Sequence, residues 1–302
     1  MLPSPLRRSS TLLLVLGVAA SLLHELSASG CERSCKPALR TVTAGRAPVS
    51  TKAPWTETIA DGCQHVYLDL GSNVGIQVRK LFEPELFPDS VNDSIAVFDH
   101  FFGPVAGRRK STCAIGLEMN PTHTSRLKAL EAAHVQQGWR TRFFTQTAVG
   151  VDFSTGRYDH TGLKDTPLDL SAKINFAPAS APAPAADGLD TSDFSIRFVS
   201  AAELILLVAT RRLQSSGEAA HIVAKVDIEG SEHLVLPHLL LSNAMCALSY
   251  VALEMHPRTR LVELTIAKLA QQGCKTVVSL DDDEKYGFSE FPLPLPPPSK
   301  AK

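Results

Sequence analysis

A doubly wound, mostly parallel α/β sheet with helices on both faces is the fold class this sequence predicts, on three observations. Short apolar runs alternate with helical stretches from Gly62 to Leu280, the pattern of a parallel sheet covered on both sides. The first run ends in an acid and then in glycines at Gly71 and Gly75 that open a helix. At 302 residues and 44% apolar content, the chain can bury one large core with appendages.

The elements follow in order. Val66 to Leu70 is the first strand, and Val74 to Phe82 the helix after its glycine turn. Ala114 to Leu117 is the second, closed by Glu118 and the stop signal Asn120-Pro121 and followed by a helix from His123 to His134. Ile222 to Ile228 is a further strand, after which Glu-Gly-Ser-Glu starts a helix from Glu232 to Leu241. Tyr250 to Leu253 precedes a helix from Arg260 to Gln271, and Thr276 to Leu280 is the last strand. Right-handed crossovers between these strands make the sheet doubly wound.

Other segments break the rhythm. The roughly thirty residues between the first helix and Ala114 hold Phe87-Pro88, Phe98, Phe101 and Phe102, too aromatic for a floppy loop, so an ordered insertion near the site is expected. Residues 177–190 are rich in Ala and Pro and read as a disordered surface loop. Residues 31–61 read as a stem or linker, which puts the folded domain at 62–290. The tail at 291–302 carries five prolines and reads as an unstructured end that cannot form a helix.

The N-terminus points to the secretory pathway. Arg7 and Arg8 precede the apolar stretch Thr11 to Leu23, and the small residues Ser27, Ala28, Ser29 and Gly30 follow, the order of a secretory signal. The apolar run is shorter than a comfortable membrane span, which favours a cleaved peptide. An uncleaved signal anchor, giving a type II membrane protein facing the lumen, is the alternative. Residues 1–30 are therefore signal peptide or signal anchor. A lumenal site permits disulfides among the six cysteines, whose spacings match no zinc module. Cys113 sits in an apolar strand pattern and reads as a small buried hydrophobe. Asn92-Asp93-Ser94 is the one usable glycosylation sequon, because Asn120 precedes Pro121. With 30 basic and 31 acidic residues, no basic stripe marks the chain for nucleic acid.

The turn after the first strand reads Asp69-Leu70-Gly71-Ser72-Asn73-Val74-Gly75. A dinucleotide fold wants Gly-x-Gly-x-x-Gly there, so a nicotinamide-dependent oxidoreductase fits the fold but not the turn. An acid two residues before the first glycine is similar to the pattern of S-adenosylmethionine-dependent methyltransferases, where it faces the amino-acid end of the cofactor. Glu118 ends the second strand, where a carboxylate can accept hydrogen bonds from both ribose hydroxyls.

The string Lys225-Val226-Asp227-Ile228-Glu229-Gly230-Ser231-Glu232, with an apolar helix after it, resembles the hallmark of the FkbM-type methyltransferases. Thr147-Ala148-Val149-Gly150 and Leu253-Glu254-Met255-His256 extend the resemblance, which spans roughly residues 62 to 280. Gly71 to Pro84 and the acids from Asp281 with nearby Tyr286 resemble a eukaryotic subgroup of that family. The resemblance implies methyl transfer from S-adenosylmethionine to a hydroxyl of sugar or polyketide-like type. The signal sequence tilts the acceptor toward a glycan, with a small metabolite the other choice. Cofactor-binding positions carried over are Asp69, Gly71, Ser72, Asn73, Gly75, Glu118, Thr147 and Ala148. Such folds usually finish with an antiparallel seventh strand, for which residues 286–291 are the only short candidate.

Asp227, Glu254 and His256 lie at the ends of two strands expected to be neighbours, and they are the catalytic candidates. Asp227 and Glu229 alternate along the strand and so point the same way. His256 suits a general base. Oxygen ligands with one imidazole also suit a divalent magnesium or manganese ion held by Asp227, Glu254 and His256. A hydrogen-bonded network anchoring the loop at Pro257 is the plainer reading of the same residues. Glu229 and Glu232 have a competing role as helix caps. A catalytically silent Rossmann-like lumenal binding or scaffold module is the reading from another class.

Overall fold

The computed structural model describes residues 53–157, 195–212, 220–256, 260–280, 283, 285–287, 289 and 291–295. The signal segment, most of the stem, the loop at 177–190, Pro257 and the last residues of the tail lie outside the described residues.

The central sheet has six parallel strands with short helical crossovers, the α/β Rossmann-like architecture expected. Its strands are β1 (His65–Leu70), β2 (Thr112–Glu118), β3 (Arg140–Thr145), β7 (Ile222–Val226), β8 (Tyr250–Leu253) and β9 (Val277–Ser279). They run in the order β3-β2-β1-β7-β8-β9. All residues of β1, β2 and β7 are buried, which is why these strands read as unbroken apolar runs rather than alternating ones. The order reverses direction between β1 and β7, and a crevice opens there at the carboxyl ends of the strands.

Helix α1 (Ile76–Phe82) follows β1, and all seven of its residues are buried, Arg79 and Lys80 among them. The aromatic segment is an ordered insertion, as expected. Two 3₁₀ turns lead into α2 (Ser94–Phe102) and α3 (Val105–Ser111). Phe98 and Phe102 pack with Tyr67 of β1 and Phe82 of α1 in one buried cluster. Helix α4 (Thr124–Gln136) connects β2 to β3.

A second sheet was not anticipated. In it β4 (Thr147–Gly150) pairs parallel with β6 (Ser195–Ser200), and β5 (Ser154–Arg157) pairs antiparallel with β6. Helix α5 (Ala201–Arg212) leads from it back toward β7, α6 (Glu232–Leu241) follows β7, and α7 (Arg260–Gln271) precedes β9. The strand expected over Ile222 to Ile228 stops at Val226. Glu229 adopts a left-handed φ of 53° in a turn, so the alternation expected to align it with Asp227 does not apply.

Three other expectations change. The folded unit reaches back beyond Gly62, because Trp55 packs edge-on against Phe144 at 5.7 Å and Ile59 and Ala60 join the core. Residues 53–61 are therefore packed structure rather than stem. Cys113 is not a free apolar filler: it is disulfide-bonded to Cys63, and Cys246 to Cys274. Among the described residues no antiparallel strand follows β9. Instead the described residues between Asp283 and Leu295 contact α1 and the insertion, so Phe291 and Pro292 are packed rather than part of an unstructured end. Tyr286 and Phe291 pack on Phe87 at 5.3 and 4.9 Å. Arg79 holds Glu83 through two hydrogen bonds of 2.7 Å and donates to the carbonyls of Phe291 and Pro292. Lys80 donates to the Asp283 carbonyl and pairs with its carboxylate at 3.0 Å. Satisfied in this way, two cations can lie inside the fold.

Candidate functional site

Backbone bonds lace the strand ends together at the crevice. The amides of Gly71 and Ser72 donate to the Leu117 carbonyl at 3.0 and 2.9 Å, the Asp227 amide to Leu70 at 2.9 Å, and the Glu254 amide to Val226 at 3.0 Å. This lacing fixes where the side chains that follow each strand emerge. Gly71 has φ of 91°, and a Cβ there would lie 1.7 Å from the Asp227 carbonyl oxygen, so no other residue fits. Gly75 caps α1 at φ 84°, and a Cβ on it would press to 2.8 Å on Leu130.

The crevice is an open cleft of about 550 Å³, counting the space open to solvent. Gly71, Asn73, Glu118, Thr147, Ala148 and Asp227 all line it. Of the cofactor-binding positions expected from sequence, Asp69, Ser72 and Gly75 are not among its lining residues. Asp69 is fully buried on the sheet face and accepts from the Tyr67 hydroxyl at 3.4 Å. Ser72 turns its hydroxyl to the Asp69 carbonyl at 3.0 Å. These residues shape the turn from beneath.

Met119, Asn120, His123 and Glu229 also line the cleft, and sequence reasoning passed over them as site residues. Asn120 was read only as a stop signal. Its side chain accepts from the Thr122 amide and hydroxyl at 3.0 and 2.8 Å, which holds the loop after β2 against the cleft.

Glu118 is the electrostatic centre. One carboxylate oxygen accepts from the Asn73 amide at 2.6 Å and the other from the Asn120 amide at 2.7 Å. Burial pushes its carboxyl up to about 7, against the lowering pull of those amides, and the nearby Asp69 and Asp227 add to the rise. Glu229 is likewise pushed to about 7, first by burial and then by Asp227. Each Glu118 oxygen has a lone pair beyond the one engaged by an amide. Neighbouring hydroxyl donors are what such a carboxylate would accept.

Beside the cleft Asp227, Glu254 and His256 converge, as the neighbouring strand ends implied. His256 Nε2 lies 2.6 Å from Glu254 Oε1, while its Nδ1 faces Asp227 Oδ1 at 4.0 Å and Glu232 Oε1 at 3.6 Å. Neither His256 Nδ1 nor Asp227 Oδ1 makes a hydrogen bond. The other oxygen of Asp227 accepts from Lys225 Nζ at 2.6 Å. Potential ligand atoms of Asp227, Glu254 and His256 all lie within 4.8 Å of one another. Glu232, almost fully buried, accepts from the Ile228 amide at 3.1 Å and so caps the turn into α6.

The arrangement has two parts: an acidic cleft lined by Glu118, Asp227 and Glu229 with a backbone turn at Gly71, and a carboxylate-imidazole cluster at its edge. No family model, curated protein or solved structure matches the chain.

Proposed function

We propose that this protein is an S-adenosylmethionine-dependent methyltransferase that methylates a hydroxyl of a glycan or small metabolite in the secretory pathway. The observation that carries the reading is the cleft at the strand-order reversal. There Gly71 lets the turn after β1 lie against the Asp227 carbonyl, closer than any side chain would allow, and Glu118 presents a buried carboxylate that accepts from the Asn73 amide, 45 residues earlier in the chain. The residues fit the cofactor: Glu118 would take the ribose hydroxyls, the Gly71–Asn73 turn would admit the chain of the molecule against backbone, and Thr147 and Ala148 would wall the base. When bound, S-adenosylmethionine supplies an electrophilic methyl carbon, to which an alcohol oxygen bonds as the carbon–sulfur pair stays with sulfur and the hydroxyl proton leaves to a base.

The chain's own residues serve that proton. With Glu254 accepting from His256 Nε2–H, the lone pair of Nδ1 turns toward Asp227. His256 Nδ1 would take the single proton of the hydroxyl, and the Asp227 carboxylate 4.0 Å away would stabilise the imidazolium that forms. Asp227, Glu254 and His256 also fit a magnesium or manganese ion, because two carboxylates and an imidazole lie in reach of one point and Asp227 Oδ1 and His256 Nδ1 make no hydrogen bond. Such an ion would act as a Lewis acid on the hydroxyl. The two disulfides agree with an oxidising lumen.

Tritiated-methyl transfer to fractionated glycans and lipids of the source, with and without chelator, tests the reading. Wild type should label a fraction, and Asp227→Asn should not. Heat protection by a nicotinamide dinucleotide in place of S-adenosylhomocysteine would refute it.

A further inference from the structure

A second cavity lies against the same sheet and meets the cleft at Lys225. Counted with the space open to solvent it holds about 940 Å³, against about 550 Å³ for the cleft on the same count, and so reaches the size of small-molecule sites. Its floor is the sheet face carrying Tyr67, Val223, Lys225, Tyr250 and Ala252, and α2 roofs it with Val97 and Phe98. Asn92, Asp93, Ser94, Asp283 and Lys285 form its polar wall.

Two features give this cavity a purpose. The first is its junction with the cleft: Lys225 lines the cavity, Asp227 lines the cleft, and the two are joined by the 2.6 Å ion pair. A residue of the cavity wall and a residue of the cleft wall are thus in direct contact, and Asp227 belongs to the cluster that receives the hydroxyl proton. The second is charge. Every charged side chain in the cavity wall already faces an opposite charge: Lys225 with Asp227, Lys285 with Asp93, and Asp283 with Lys80. An ionic ligand would find no uncompensated partner and would pay its full desolvation. An uncharged ligand meets the rings of Tyr67 in the floor and Phe98 in the roof, packed edge-on at 5.0 Å, and hydrogen-bonding groups along the wall.

We propose that this cavity is the acceptor site, and that it takes an uncharged cyclic alcohol whose hydroxyl enters past Lys225 to Asp227. The proposal rests on the methyltransferase reading for its chemistry but on the cavity alone for its binding. Ala252→Leu and Val97→Phe fill the space from floor and roof, and neither residue lines the cleft.

The test uses the whole protein and ligand-observed fluorine NMR with a panel of neutral fluorinated methyl hexopyranosides and cyclohexanols, set beside their carboxylate analogues. Neutral members should bind wild type, carboxylates should not, and either filling variant should weaken binding about tenfold or more. Both variants should melt like wild type and bind S-adenosylhomocysteine in calorimetry with unchanged affinity. Preference for the carboxylates, binding that survives both substitutions, or no neutral ligand at all overturns the proposal. Loss of S-adenosylhomocysteine affinity in the filled variants also overturns it, because the cavity would then house the amino-acid end of the cofactor. If wild type binds no S-adenosylhomocysteine while neutral alcohols bind and are expelled by filling, the site stands and the methyltransferase reading falls.

Discussion

Glu118→Gln separates the stability role of the cleft carboxylate from its binding role. In the folded protein burial raises the Glu118 carboxyl from its ordinary 4.5 to about 7. The unfolded chain therefore loses that proton first as pH rises, the folded state binds the extra proton between those values, and stability falls across the window. The gap corresponds to about 3 kcal/mol, fully absent below pH 4.5 and fully present above pH 7. Glutamine removes the titration. It also leaves one of the Asn73 and Asn120 amides facing an NH₂ group, a constant cost of about 1–3 kcal/mol at every pH. Urea denaturation of both proteins from pH 4.5 to 8.5 reads the two effects apart. The variant should be less stable at the acid end and gain on wild type by about 3 kcal/mol toward pH 8, while losing affinity for S-adenosylhomocysteine. Parallel pH profiles for the two proteins would refute the assignment of a buried, strained carboxylate.

Other perturbations follow from the geometry. Gly71→Ala must move the β1 and β7 ends apart to clear the Asp227 carbonyl, so S-adenosylhomocysteine binding measured by calorimetry should vanish even where circular dichroism shows a folded protein. Arg79→Met leaves the buried Glu83 with His134 alone and removes the bonds to Phe291 and Pro292, and denaturation should report a loss of about 3–5 kcal/mol. Removing the Cys246–Cys274 bond, which closes a 28-residue separation, by the double change Cys246→Ser and Cys274→Ser should lower stability by about 3.5 kcal/mol in urea denaturation. Manganese at about 100 times its dissociation constant should stabilise wild type by about 2.7 kcal/mol in thermal melts. His256→Ala should abolish that gain, and an equal gain in the variant would place the ion elsewhere.

The strands β1, β2 and β7 were legible because each is a buried apolar run, whereas β3, with Arg140 and Arg142 alternating outward, was not delimited; the convergence of Asp227, Glu254 and His256 followed from the adjacency of β7 and β8. What chain order does not carry is which face a residue takes. Asp69 sits where the motif places it along the chain, yet it shares the face of Tyr67 beneath the cleft, toward the second cavity rather than into the first. Glu229 left the strand pattern because a left-handed turn begins before it, which strand periodicity cannot register. The disulfides needed register as well: Cys63 and Cys113 stand at the starts of the paired strands β1 and β2, as Cys246 and Cys274 do before β8 and β9. The second sheet escaped notice because Thr147–Gly150 was read as a motif and the other two strands flank the low-complexity region. Asn120 was read as punctuation, although its position beside Glu118 at the strand end was signal enough to place it in the cleft.

Calorimetric titration of the whole protein with S-adenosylhomocysteine tests the central claim most directly. The account predicts one-to-one binding that strengthens from pH 6 to pH 8 as Glu118 ionises and that Glu118→Ala removes. Absence of binding by a protein that denaturation shows to be folded, or binding indifferent to Glu118, would contradict it.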